Sequence, residues 1–405
     1  MKYIKRAAEG VIQKQEKLFK AILITGARQV GKTTMLKNIK SNIDYITLDD
    51  MIMAQAAIED PALFLKTHKP PIIIDEVQYT PNILRNIKMH VDKYDEKGMF
   101  YLTGSQQFNL MKDVSESLAG RIGIVNLLGL SLREIKGIDF NEPFIPTDEY
   151  IENRKKYDTD ISYDEVWEII HKGTMPAMYQ EESDFDMFYG AYVSTYIERD
   201  VRSLTQVGDT LSFLKFMIAL ASRIGQLLNL NSIATEIGIT VPTAQRWLSI
   251  LVSSNIIYIL EPYYNNVMKR ALKTPKIYFL DTGLAAYLTK WKTKETLESG
   301  MMSGNFFENF VIVEIIKSYY NKGELRPPIY YYRDKEKREI DLIIEQNGKL
   351  YPIEIKKSNN PSKEMIQNFK VLEKVKEVGE GAVICMYDDV IYLDEKNKVI
   401  PYKYL

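Results

Sequence analysis

Eight consecutive residues constrain this chain more than any other feature. Gly26-Ala27-Arg28-Gln29-Val30-Gly31-Lys32-Thr33 satisfies G-x-x-x-x-G-K-[ST] at every fixed position. The apolar run 21–25 precedes it and a helical stretch follows. A strand, a glycine loop and a helix in that order turn backbone N–H groups inward. They also aim a helix N-terminus, worth about half a positive charge, at the same point. Such a loop is built to hold phosphate. Gly26, Ala27, Arg28, Gln29, Val30, Gly31, Lys32, Thr33 and Thr34 form the expected nucleotide segment. Lys32 would reach the β- and γ-phosphates and Thr33 would offer a hydroxyl to Mg²⁺. ATP and Mg²⁺ are the expected ligands.

The flanking pattern supports that reading. Runs 21–25, 45–49, 71–75, 99–104 and 122–130 read as strands separated by helical stretches, which predicts a parallel sheet covered on both faces. The run 70–78, PPIIIDEVQ, ends its strand at Asp75-Glu76. Asp75 is expected to organise Mg²⁺ together with Thr33, and Glu76 to orient the attacking water. At the next strand end, Thr103 and Ser105 could contact the γ-phosphate or the water, or could serve an ordinary polar turn. Arg121 has three readings: a γ-phosphate sensor in the same molecule, an arginine finger toward another, or a salt-bridged surface residue.

The remaining chain divides into further units. Residues 1–135 read as the ATPase core, 136–210 as a helical, lid-like region, 211–290 as a winged helix-turn-helix, and 300–405 as a strand-rich domain. Within 231–260, Ile233, Ala234, Ile237 and Ile239 suggest a first helix and turn around Gly238. Residues 241–252 suggest a second helix with Ala244, Leu248 and Leu251 inward. Gln245 and Arg246 would be exposed, and Lys269, Arg270, Lys273 and Lys276 would form a phosphate-contacting wing.

The run 338–358 holds two alternating strands around Asn347-Gly348, a strong two-residue hairpin signal. The implied register sets Asp341 opposite Glu354 and Glu339 opposite Lys356. Asp341, Glu354 and Lys356 then share one face, with Ile340, Leu342, Ile344, Ile353 and Ile355 on the other. Two opposed carboxylates repel, and a divalent cation between them would reverse the sign.

These segments resemble known families. GARQVGKTT, IIIDEVQ, LTGSQQF and SLAGRI are similar to the AAA-type ATPases, which implies ATP binding and hydrolysis. The segments 127–135, 173–179, 194–201 and 274–288 resemble the DUF4143 region that accompanies such ATPases. Asp341, Glu354 and Lys356 resemble the D…E-x-K core of the PD-(D/E)XK nucleases. That resemblance implies catalytic roles for all three, with Glu308, Asp341 and Glu354 as ligands of a second metal, Mg²⁺ or Mn²⁺. Here Ile340, not proline, precedes Asp341. Glu308 could equally be an exposed helix acid.

Composition narrows the function classes. A net charge of −1 advertises no global attraction to nucleic acid. One cysteine (Cys385) and three histidines (His68, His90, His171) leave no disulfide framework and little for zinc. The lack of a signal-like start or a long apolar run suggests a cytoplasmic protein without a membrane partner. The expected fold is α/β: a P-loop ATPase domain, a helical and winged-helix middle, and a nuclease-like C-terminal domain. Two functions compete: an ATPase coupled to a DNA-binding, nuclease-like region, or an ATP-dependent switch whose C-terminal region binds a partner protein. A homo-oligomer would be required for Arg121 to act in trans.

Overall fold

Every residue of Ala21–Thr25 (β1) is buried, because the strand lies inside a five-stranded parallel sheet covered on both faces. The computed structural model describes residues 3–105, 114, 116–157, 159–196, 210–264 and 273–405. With β2 (Asp44–Thr47), β3 (Ile72–Asp75), β4 (Phe100–Gly104) and β5 (Ile122–Asn126), the sheet order is β2-β3-β4-β1-β5. Side chains alternate between two cores, as a pleat requires. Ile22 and Ile24 join a core running through the rest of the chain, while Ala21 and Leu23 pack with Phe64, Ile87 and Leu118. Helix α1 (Glu9–Gln15) precedes the sheet, α2 (Lys32–Ile39) follows β1, and α3 (Met51–Glu59), α4 (Pro61–Thr67) and α5 (Ile83–Lys93) complete the connections.

Helix α6 (Leu132–Lys136) opens with a capping box between Ser131 and Glu134 and ends at left-handed Gly137. The middle of the chain is helical: α7 (Asp148–Lys155), α8 (Tyr163–Lys172), α9 (Phe185–Tyr196) and α10 (Thr210–Ala221). Next, α11 (Leu230–Ile237) turns at Gly238 (φ 80°) into α12 (Val241–Ser253). The strands β6 (Ile257–Leu260) and β7 (Lys276–Phe279) follow, paired antiparallel. Ala244, Trp247, Ile250 and Leu251 form the inward face of α12; Leu248, expected there, is half-buried, while Gln245 and Arg246 are exposed. Lys269 and Arg270 lie outside the described residues.

After α13 (Thr282–Leu288) and α14 (Lys294–Ser299) comes α15 (Ser303–Tyr320), thirteen of whose eighteen residues are buried. Most of these are apolar, and buried polar ones, Asn309, Glu314 and Lys317, are hydrogen-bonded to neighbouring segments, so the helix is enclosed. Here the segment 130–132 after β5, the middle helices and the C-terminal sheet all close on it. That last sheet runs β12-β13-β11-β10-β9-β8, built from β8 (Ile329–Arg333), β9 (Glu339–Gln346), β10 (Lys349–Lys356), β11 (Gly381–Cys385), β12 (Ile391–Tyr392) and β13 (Asn397–Pro401). The β9–β10 turn has φ 50° at Asn347 and 79° at Gly348, both left-handed, as the short hairpin demands. Its register, Lys349↔Gln346 through Ile353↔Leu342, is the one implied by the sequence.

One assignment changes. Leu342, Ile344, Ile353 and Ile355 face the core shared with α15, but Ile340 joins Ile343, Val383 and Val399 on the opposite face. A 3₁₀ segment, Lys363–Lys374, covers that face with Ile366, Phe369 and Leu372. Among the described residues no helix is long and apolar enough to cross a membrane.

Candidate functional site

The loop after β1 can only be built with glycine at its two fixed ends. A Cβ on Gly26 (φ 147°) would stand 2.1 Å from the Leu127 carbonyl oxygen, and Gly31 is left-handed at φ 93°. Gly31 is also the N-cap of α2, and no side chain caps that helix. Its first-turn amides therefore open onto the loop. Lys32 is buried, and its ammonium donates to the carbonyls of Gly26 (3.0 Å) and Ala27 (2.8 Å). Thr33 donates to Asp75 at 2.9 Å, while Thr34 is exposed on the first turn of α2.

Asp75 ends β3, and β4 lies between it and β1. Thr103, on β4, donates to the Asp75 carboxylate, and Tyr45 does so from 2.8 Å. Three hydroxyls thus hold this buried acid. Glu76 follows in a left-handed conformation (φ 55°), rare for a residue with a side chain. Its N–H donates to Thr103 at 3.2 Å. Its carboxylate receives Gln78 and, at 3.4 Å, Ser105. A loop of inward amides beside one hydroxyl and one carboxylate suits a polyphosphate with a hard divalent cation.

Three residues behind the loop escaped the sequence reading. Arg6 is buried and donates to the carbonyls of Val30 (2.7 Å) and Leu128 (2.8 Å), while its Nε reaches Glu134 at 3.0 Å. Burial pushes the Glu134 carboxyl up, but Arg6 and the amides of Ser131 and Ala7 outweigh that and leave it below the usual range. Pro176 approaches the loop from the middle region, 3.7 Å from where a Cβ on Gly31 would stand. The Ser131–Glu134 box was legible as a local motif. Its partnership with Arg6, 128 positions away, was not.

Arg121 does not belong to this loop in its own molecule. It precedes β5, and Ala21 of β1 pairs with Ile122, so Arg121 sits at the end of the sheet where β1 begins. The phosphate loop leaves the other end, roughly 16 Å away for a five-residue strand. Sensing of γ-phosphate in cis is therefore excluded, and the guanidinium is paired with Asp92.

The C-terminal acids form a second polar cluster. The β9–β10 ladder ends at Ile353↔Leu342, and beyond it the Ile355 N–H donates to Asp341 at 2.8 Å. Lys356 stands 2.6 Å from Glu354 and 3.4 Å from Asp341. The Lys356 ammonium, expected on this face, thus stands beside both carboxylates. The second oxygen of Glu354, Oε2, is buried with no hydrogen-bond partner among the described residues. Burial and the charge of Asp341 push its carboxyl well above the ordinary range. Glu308, on α15, accepts from Tyr278 (2.7 Å) and faces Lys276 (3.3 Å), so it is not an exposed acid. Among the described residues no three of His, Cys, Asp or Glu come close enough to hold a metal ion, so Glu308, Asp341 and Glu354 are not a ready cage. Lys276, expected on a phosphate-contacting wing, is 3% exposed and points inward; Lys273 alone of the described wing residues is exposed.

Comparison with known proteins places these parts. Residues 18–136 match the AAA domain family, 163–295 a domain of unknown function (DUF8612) and 303–405 another (DUF4143). The segments expected within DUF4143 therefore lie before it: 127–135 closes the AAA match, while 173–179, 194–201 and 274–288 fall in DUF8612. Two proteins described as uncharacterized, from Mycobacterium bovis and Mycobacterium tuberculosis, are each 29% identical over 345 residues, 84% of this chain and 71% of theirs. A Walker-type ATPase of Pyrococcus abyssi is similar at 14% identity, covering 71% of this chain and 96% of its own, with a TM-score of 0.42. RuvB of Thermotoga maritima, 16% identical, covers 62% and 85% at a TM-score of 0.29. One chain thus joins an AAA-type P-loop ATPase domain, through a helical middle region, to a C-terminal domain of the DUF4143 family.

Proposed function

We propose that the loop 26–34 binds ATP, that Thr33 and Asp75 hold its Mg²⁺, and that Glu76 is the base for its hydrolysis. The observation that carries this is the meeting of Thr33, in the first turn of α2, with Asp75, at the end of β3, beside a loop that only glycine can close. Bound Mg²⁺ would neutralise charge on the β- and γ-oxygens. Lys32 exchanges the carbonyls of Gly26 and Ala27 for phosphate oxygens. Glu76, held by Ser105 and Gln78, takes a proton from water as the water oxygen bonds to the γ-phosphorus and the bond to the β-phosphate oxygen breaks. Replacing Lys32 by alanine should weaken ATP binding about 100-fold, the worth of a charged hydrogen-bonding group. Titration with a fluorescent ATP analogue measures this, and an unchanged affinity would remove the reading.

The domains follow the boundaries 1–135, 136–210, 211–290 and 300–405. Arg121 would act only toward a neighbouring copy. For the C-terminal region we favour a nuclease-like, DNA-binding domain over a protein-binding switch, because a buried oxygen of Glu354 with no partner among the described residues, beside Asp341 and Lys356, is costly in a domain that only docks. Since the acids do not form a metal cage as they stand, no cleavage step is derived through a metal. Incubating the protein with plasmid and linear DNA, with Mg²⁺ or Mn²⁺ and each nucleotide state, tests this. Cleavage lost in Glu354→Ala is the expected outcome, and wild type that never cuts would favour the switch.

A further inference from the structure

The strand β2 lies at the edge of the ATPase sheet and grips Asp75 of its neighbour β3 twice. Through the backbone, Thr47 pairs with Asp75 in the ladder and the Leu48 N–H donates to the Asp75 carbonyl at 2.9 Å. Through a side chain, Tyr45 does the rest. It pairs with Ile73, two residues short of Asp75, and alternation puts it on the same face. Its hydroxyl crosses that offset, roughly 6.6 Å along the strand, and donates to Asp75 Oδ2 at 2.8 Å. The Lys37 ammonium, one turn beyond Thr33 on α2, stands 3.5 Å from the centre of the Tyr45 ring. Tyr45 therefore spans the same gap, from α2 to β3, that Thr33 and Asp75 close by their own contact.

The two oxygens of Asp75 are served by different donors. Oδ1 accepts from Thr103 and, at 2.9 Å, from Thr33, which is 3.1 Å from Oδ2. One hydroxyl carries one proton, so with Thr33 on the nearer Oδ1, Tyr45 alone among the described residues serves Oδ2. We propose that Tyr45 is a positioning residue of the ATP site: its hydroxyl fixes the rotation of the Asp75 carboxylate toward Thr33, and so sets how tightly that pair takes the Mg²⁺ of bound ATP. This deepens the proposed function and rests on Thr33 and Asp75 as the Mg²⁺-holding pair. A carboxylate already oriented by an outer donor binds metal more tightly, while the donor itself touches neither metal nor nucleotide.

The test is binding of a non-hydrolysable ATP analogue to the full chain, titrated once in EDTA and once in excess Mg²⁺. The ratio of the two affinities is the gain that the metal confers. Tyr45→Phe keeps the ring against Lys37 and removes one hydroxyl. It should bind the analogue as wild type does in EDTA and lose about 10-fold of the Mg²⁺ gain, the lower end of the usual span for an outer partner of a metal ligand. In an Asp75→Asn background the same substitution should cost nothing further, because residues that act through one another are not additive. An undiminished gain in Tyr45→Phe overturns the positioning role and leaves Thr33 and Asp75 standing. Equal losses in EDTA and in Mg²⁺, or a Tyr45→Phe chain that does not fold, mark a hydroxyl that only supports the structure and overturn it too. An additive loss on Asp75→Asn does the same. Wild type with no Mg²⁺ gain, or Asp75→Asn with the full gain, overturns the metal-holding pair itself and this inference with it.

Discussion

Glu76→Gln should bind ATP as wild type does and hydrolyse it about 10²–10⁴ times more slowly, the usual loss when a positioned base is removed. Glutamine has the same shape, and its carbonyl can still accept from Gln78 and Ser105, the groups that hold the Glu76 carboxylate. The left-handed backbone at φ 55° is set by the Thr103 contact and the turn that follows, so the substitution leaves the fold intact. What it removes is the capacity to take a proton. Single-turnover hydrolysis beside equilibrium nucleotide binding separates the two effects. Wild-type hydrolysis in this variant would reject Glu76 as the base, and loss of binding would make its role positional.

Arg6→Ala should lower stability by about 3–5 kcal/mol, the cost of breaking a buried pair from one side. The guanidinium serves three elements at once: the phosphate loop through Val30, the segment after β5 through Leu128, and α6 through Glu134. Its removal leaves the buried Glu134 carboxylate without a counter-charge and two carbonyls without their donor. The pair also sets an acid limit. Glu134 titrates below its ordinary value in the folded chain, despite its burial, because Arg6 and two backbone amides hold its charged form. Its contribution is therefore complete above the unfolded value, about 4.3, and fades as pH falls through the depressed folded value. Urea unfolding of Arg6→Ala, Glu134→Gln and the double variant, at neutral and acid pH, measures the coupling. A double variant no worse than either single one is expected. Simple additivity, or a loss in Arg6→Ala under about 1 kcal/mol, would show that the pair does not hold the loop.

Several site features were visible in the chain because they are local. The glycines of 26–31, the apolar run ending at Asp75-Glu76 and the Asn347-Gly348 turn each carry their backbone geometry in adjacent residues. The hairpin register followed from turn length alone, and it proved correct through Ile353↔Leu342. Reading failed where one residue's surroundings came from distant segments. Ile340 follows period two on paper, but it lies beyond the regular ladder, where the strand irregularity beside Tyr330 and Tyr332 turns it to the other face. Lys276 looked like one more basic residue on a wing until β7 was seen to lie against α15.

From its order of residues alone, this chain specified a phosphate-binding loop, an acid pair at a strand tip and a two-residue hairpin, since each is a matter of dihedral angles and spacing within a few positions. Tertiary structure alone decided which charges meet. It placed Arg6 behind the loop, sent Arg121 to the far end of the sheet and set Lys276 among the C-terminal acids. Charge pairing depends on distance in space and on burial, and neither is written in separation along the chain.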